Sequence, residues 1–118
     1  MVQQSDIRLD AAFAALSDAT RRGVLEELGQ SQASISRLAA RFEMSLTGMK
    51  KHVALLEEAG LITTEKQGRV RVCRIEADGL GDVAAWIEAR RKVWNDRFDA
   101  LDSVLQTLTR KENPDGQA

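Results

Sequence analysis

Apolar residues recur at steps of three and four along most of the chain, and at steps of two over one short stretch. The pattern predicts a mainly α protein carrying one small β-hairpin. Residues 10–16, DAAFAAL, form a first alanine-rich helix ending at Ser17 or Asp18, either of which can cap a second helix that runs through TRRGVLEEL to Gly29. Small polar residues at 30–33 read as a loop. Ser34 or Ser36 then caps a third helix in which Ile35, Leu38, Ala39 and Phe42 keep helical spacing.

Glu43 and Met44 make a short connection to Ser45, the N-cap of a fourth helix over 45–59 that stops at Gly60. Two helices so joined are a helix-turn-helix candidate. In the fourth helix Leu46, Met49, Val53 and Leu56 make an apolar stripe suited to packing on Leu38 and Phe42, which turns Thr47, Gly48, Lys50, Lys51 and Ala54 outward. Residues 61–66 and 69–75 are β-branched or alternating and flank Gln67-Gly68, which predicts a hairpin, or wing. From 78 to about 109 a long amphipathic helix follows, too apolar on one face to stand alone. The sequence therefore reads as one winged helix-turn-helix domain over 1–110, with a disordered tail at 111–118.

Composition changes this picture little until charge is divided along the chain. The net charge is −1, yet residues 34–74 hold eight basic and four acidic side chains, whereas 1–33 hold three and five and 75–118 hold six and nine. The middle third is a basic island, which points to a polyanionic partner for that segment. No apolar run is long enough to span a membrane, and the start, MVQQSDIRLD, lacks the apolar core of a secretory signal, so a cytoplasmic protein is expected. One cysteine, Cys73, allows no internal disulfide and reads as a small apolar residue of a strand.

The fourth helix carries its cations early and its acids, Glu57 and Glu58, late. A basic, acid-free N-terminal half suits entry into the DNA major groove, where phosphates attract lysines and the positive end of the helix dipole. The candidate DNA contacts on it are Ser45, Thr47, Gly48, Lys50, Lys51 and His52. Gly48 costs roughly 1 kcal/mol of helix propensity, for which close approach to DNA and plain tolerance in a packed helix are equal explanations. On the wing, Lys66, Arg69 and Arg71 crowd one turn and are placed for phosphates.

The run SLTGMKKHVALLEEAGLI resembles the Ser-x-x-x-x-Ser-Lys-His-Leu-x-x-Leu-x-x-Ala-Gly-Leu pattern of the ArsR/SmtB family of winged-helix repressors, matching at Ser45, Lys51, His52, Leu56, Ala59, Gly60 and Leu61. ALSDATRRGVLEEL at 15–28 is similar to the family's opening helix. Lys50 stands where the family usually has serine, and Val53 where it usually has leucine. Metal sensors of the family use a Cys-x-Cys pair on the third helix or Asp and His ligands on the last. Here the third helix reads SISRLAARF and the last contains no histidine, so the resemblance is to a branch without metal ligands, and neither metal nor cofactor is expected.

The resemblance also implies a homodimer. Both tryptophans and Phe98 lie in the last helix of a chain with five aromatic residues, and Trp86, Trp94, Phe98, Leu101 and Leu105, with Phe13 from the first helix, are the expected dimer contacts. Two-fold symmetry would set recognition helices about 34 Å apart on an inverted repeat. The functional expectation is a sequence-specific DNA-binding transcriptional regulator, a homodimeric repressor; the alternative is a winged-helix protein-interaction module. An enzyme is not expected, since no Gly-rich phosphate loop or catalytic constellation is present.

Overall fold

The computed structural model describes residues 4–112. The elements in order are α1 (Gln4–Leu16), α2 (Ala19–Gln30), β1 (Ala33–Ser34), α3 (Ile35–Arg41), α4 (Leu46–Glu58), β2 (Ile62–Gln67), β3 (Val70–Ile75) and α5 (Ala77–Glu112). They divide into two compact units, one up to Val83 and one from Ala84 onward. The predicted tail lies outside the described residues from position 113.

Side chains fix the helix starts. Asp18, Ser34 and Ser45 each have extended backbone and accept a hydrogen bond from the N–H three residues on, at Arg21, Arg37 and Gly48. Each such cap stabilises its helix by about 1 kcal/mol. The two helices of the helix-turn-helix, α3 and α4, end in matching C-terminal stops. After α3, Glu43 N–H bonds Ala40 C=O and Met44 N–H bonds Ala39 C=O; after α4, Gly60 and Leu61 do the same to Glu57 and Leu56. Both stops need a left-handed residue, supplied by Gly60 at φ 75° and by Glu43 at φ 54°. A non-glycine there costs about 1–2 kcal/mol, so the turn between α3 and α4 is held by its surroundings and not by its own preference.

The core gathers α1 to α4 around the base of the wing. Leu38, Met49, Leu56, Leu61 and Ile62 are fully buried, each contributing roughly 1.5–3 kcal/mol of apolar burial. Phe42 is half-buried and leans on α2 at Gly23, where a Cβ would come within 2.7 Å of its ring. The stripe expected on α4 holds at Met49, Val53 and Leu56 and fails at Leu46, which is 44% exposed. Leu46 is the first residue of α4 and overhangs the core.

Two further details differ from the sequence expectation. The loop predicted at 30–33 ends in a two-residue strand, and β1 pairs antiparallel with β3 through Ala33 with Cys73 and Ser34 with Val72. The wing is thus part of a three-stranded sheet in the order β1-β3-β2. The hairpin turn sits one residue later than expected, at Gly68-Arg69, with Gln67 opposite Val70 and Gly68 at φ 65°. That places glycine first in a two-residue loop, where a positive φ suits the twist of the strands.

Beyond β3, Glu76 N–H bonds Leu61 C=O and its carboxylate accepts from Asp78 N–H at the start of α5. The first turn of α5 presses on the end of α4 so closely that a Cβ at Gly79 would overlap the Gly60 carbonyl. In the second unit, Trp86, Trp94, Phe98, Leu101, Val104, Leu105 and Leu108 expose an apolar stripe. Arg90 stacks over Trp86 at 5.3 Å.

Candidate nucleic-acid interface

One face of the hairpin does three jobs along its length. Residues directly opposite in the register share a face, so Ile62 with Ile75, Thr64 with Cys73 and Lys66 with Arg71 point the same way. At the base Ile62 is in the core, and one step up Cys73 is buried too. In the middle Thr64 turns to α4, where Glu57 Oε2 accepts both its N–H at 3.1 Å and its hydroxyl at 2.8 Å. At the tip Lys66 and Arg71 face a groove of about 460 Å³ between wing and helix.

Lys50, Lys66, Arg69 and Arg71 all line that groove, and Glu57 is the one carboxylate among its lining residues. Glu57, held by Thr64, keeps its negative charge and offsets part of the positive charge of the four cations. Lys66 opposite Arg71 is a like-charge cross-strand pair, an arrangement that weakens a hairpin by a few tenths to about 1 kcal/mol. The pair leaves the tip of the hairpin positively charged. The floor is apolar, with buried Ile35 and Val53 beside Ala54.

The remaining sequence candidates are distributed differently. Thr47 and Lys51 are exposed on α4 outside the groove lining. Ser45 uses its hydroxyl to cap α4. Gly48 is half-buried, and a Cβ there would lie 3.1 Å from Ser45 Oγ and 3.2 Å from Met44 Cε, so its small size serves the packing of the cap. His52 points inward: its side chain is 19% exposed, with Nδ1 at 3.1 Å from Arg21 Nη1 and 3.9 Å from Asp18 Oδ2.

Arg21 is the residue that sequence reasoning passed over. Its Nε donates to Ala15 C=O at 2.8 Å and its Nη2 to Ala14 C=O at 3.2 Å, while Arg22 Nη1 donates to Leu16 C=O at 2.7 Å. The two arginines thus satisfy the last carbonyls of α1, and Arg21 extends the link to α4 through His52. Because guanidinium only donates, His52 Nδ1 is the acceptor. The N–H of Arg21, bonded to the Asp18 carboxylate, holds that carboxyl below its usual value, with the Arg21 charge adding to the effect. The adjacent arginines in ATRRG were the available signal, but their targets are tertiary.

Comparison with known proteins agrees with this architecture. Residues 16–65 match the helix-turn-helix domain family. An uncharacterized HTH-type transcriptional regulator of Bacillus subtilis (strain 168), YuzN, is 36% identical over 87 residues, covering 67% of this chain and 95% of the relative. The crystal structure of an ArsR family transcriptional regulator superposes with a TM-score of 0.72 at 42% identity, covering 80% of this chain and 97% of that one. A homodimeric winged helix-turn-helix DNA-binding domain from Mycobacterium bovis shares the fold at 23% identity, with a TM-score of 0.59, over 85% of this chain and 95% of that one. With the turn between α3 and α4, the wing and these relatives in agreement, the chain belongs to the ArsR family of winged helix-turn-helix transcriptional regulators.

Proposed function

We propose that this regulator is a homodimeric repressor that acts in the cytoplasm on an inverted-repeat operator and does so without a metal. Thr47, Lys50 and Lys51 of α4 address the major groove and its phosphates, with Ser45 fixing the helix start, and Lys66, Arg69 and Arg71 hold the flanking backbone. The observation that carries the reading is the groove whose cations include the opposed Lys66 and Arg71, an arrangement that a polyanion rewards. Support for the dimer comes from the exposed stripe through Trp94, Phe98, Leu101 and Leu105, which a second copy would cover. Among the described residues no group of three or more His, Cys, Asp and Glu could hold a metal ion.

The test is fluorescence anisotropy on a duplex taken from immediately upstream of the protein's own gene and on a shuffled duplex, each at several salt concentrations. Binding that is steep in salt and about a hundredfold tighter to one duplex is the expected result. Weak, salt-insensitive binding to both, repeated across a genome-wide selection, would favour a protein-interaction module instead.

A further inference from the structure

Leu46 is an apolar side chain placed where phosphate contact gives it no reward. It opens α4, is 44% exposed, and lines the basic groove instead of continuing the buried stripe of Met49, Val53 and Leu56. Lys50 and Ala54 follow at steps of four, so the three share the strip of α4 that faces the wing. Val70 of the wing, 45% exposed, is also among the residues that line the groove. Hydrated leucine is unfavourable in the free protein, and among the groups that a duplex presents in its major groove, the apolar one is the C5 methyl of thymine.

We infer that Leu46 packs on a thymine C5 methyl and so determines part of the operator sequence. This rests on the placement of α4 in the major groove proposed above. One helical turn advances about 5.4 Å along α4, and base pairs stack at about 3.4 Å. The thymine therefore lies within about two base pairs of the one reached by Lys50, on the side of the α4 N-terminus. Lysine donors suit guanine O6 and N7, so each half-site holds a thymine close to a guanine.

The experiment starts with selection of duplexes from a randomised library by the wild-type protein and by Leu46→Ala. Wild type should enrich a thymine near a guanine in each half-site, and Leu46→Ala should lose the thymine and keep the guanine. The wild-type winner is then remade with deoxyuridine at that thymine, which removes one methyl and nothing else. Wild type should bind the uracil duplex about fourfold more weakly, the effect of one buried methyl-sized group, and Leu46→Ala should bind both duplexes alike. Equal binding of the thymine and uracil duplexes by wild type, with sequence preference otherwise intact, overturns this inference and leaves the proposed function standing. An unchanged thymine-to-uracil ratio in Leu46→Ala also overturns it. A library from which wild type enriches no sequence overturns the sequence-specific reading itself, and this inference with it.

Discussion

Glu57 Oε2, near the end of α4, receives both the backbone N–H and the hydroxyl of Thr64 in β2. Helix and wing are thereby joined at a point between the core and the basic tip of the hairpin, so the angle between α4 and the wing cations is set before any ligand arrives. Removing the hydroxyl in Thr64→Val keeps the β-branch and deletes one charge-assisted bond. Thermal unfolding should show a loss of about 1 kcal/mol. DNA affinity should fall further than a stability loss of that size explains if the link positions the wing; unchanged affinity would show that the wing finds its own place.

Arg21 holds α1 to α4. Its guanidinium spans Ala14 C=O, Ala15 C=O and His52 Nδ1, three acceptors that one ammonium cannot meet in the same geometry. Arg21→Lys should therefore destabilise the protein nearly as much as Arg21→Ala, by about 1–3 kcal/mol in denaturant unfolding. A double-mutant cycle of Arg21→Ala with His52→Ala should give a coupling of at least about 0.5 kcal/mol. Additive effects would mean that the contact is incidental.

Most of the secondary structure was legible because its signals are local. Ser45 and Gly60 bracket α4 by cap chemistry that any helix end requires, and the wing announced itself through alternation around a glycine. What escaped was set by tertiary contact. A strand as short as Ala33–Ser34 has no period to detect, and it exists because β3 offers an unpaired edge. Leu46 keeps the spacing of a core residue, but spacing cannot reveal that the first residue of a helix lies beyond its partners. The cations of the groove were readable as a cluster in the sequence; that Lys66 and Arg71 stand directly opposite depends on the register, which the turn at Gly68-Arg69 fixes one residue away from the expected place.

Cys73 is buried in strand β3 of the wing, and its removal from water pushes the thiol up from 9.0 to about 11, with the Glu57 charge adding to the shift. A thiol held protonated is a poor nucleophile, so alkylation of the native protein at neutral pH should proceed no faster than unfolding exposes it. The pH dependence has a definite sign. Because the folded value is the higher one, the unfolded chain releases its proton first; the thiol's contribution to stability is intact below about pH 9 and is lost as pH rises towards 11. Urea midpoints measured from pH 8 to 11 should fall less steeply for Cys73→Ala than for wild type. Parallel slopes would remove Cys73 as the cause.

Lys50 and Arg69 line one groove but stand on different elements, α4 and the wing turn, and this separates their expected roles. A lysine in the N-terminal half of a recognition helix reaches base edges, so Lys50→Ala should cost about 1–3 kcal/mol on the preferred duplex and much less on a shuffled one. An arginine at a wing turn meets phosphate, whose charge is the same in every sequence. Arg69→Ala should weaken both duplexes alike and reduce the slope of log K against log salt by about one unit, the share of a single neutralised phosphate. Salt titrations of both variants on both duplexes separate the two effects within one data set. If Lys50→Ala lowered both affinities equally, α4 would be holding the backbone at that position, and base reading would pass to Thr47 and Lys51, two exposed side chains in the N-terminal half of the same helix outside the groove.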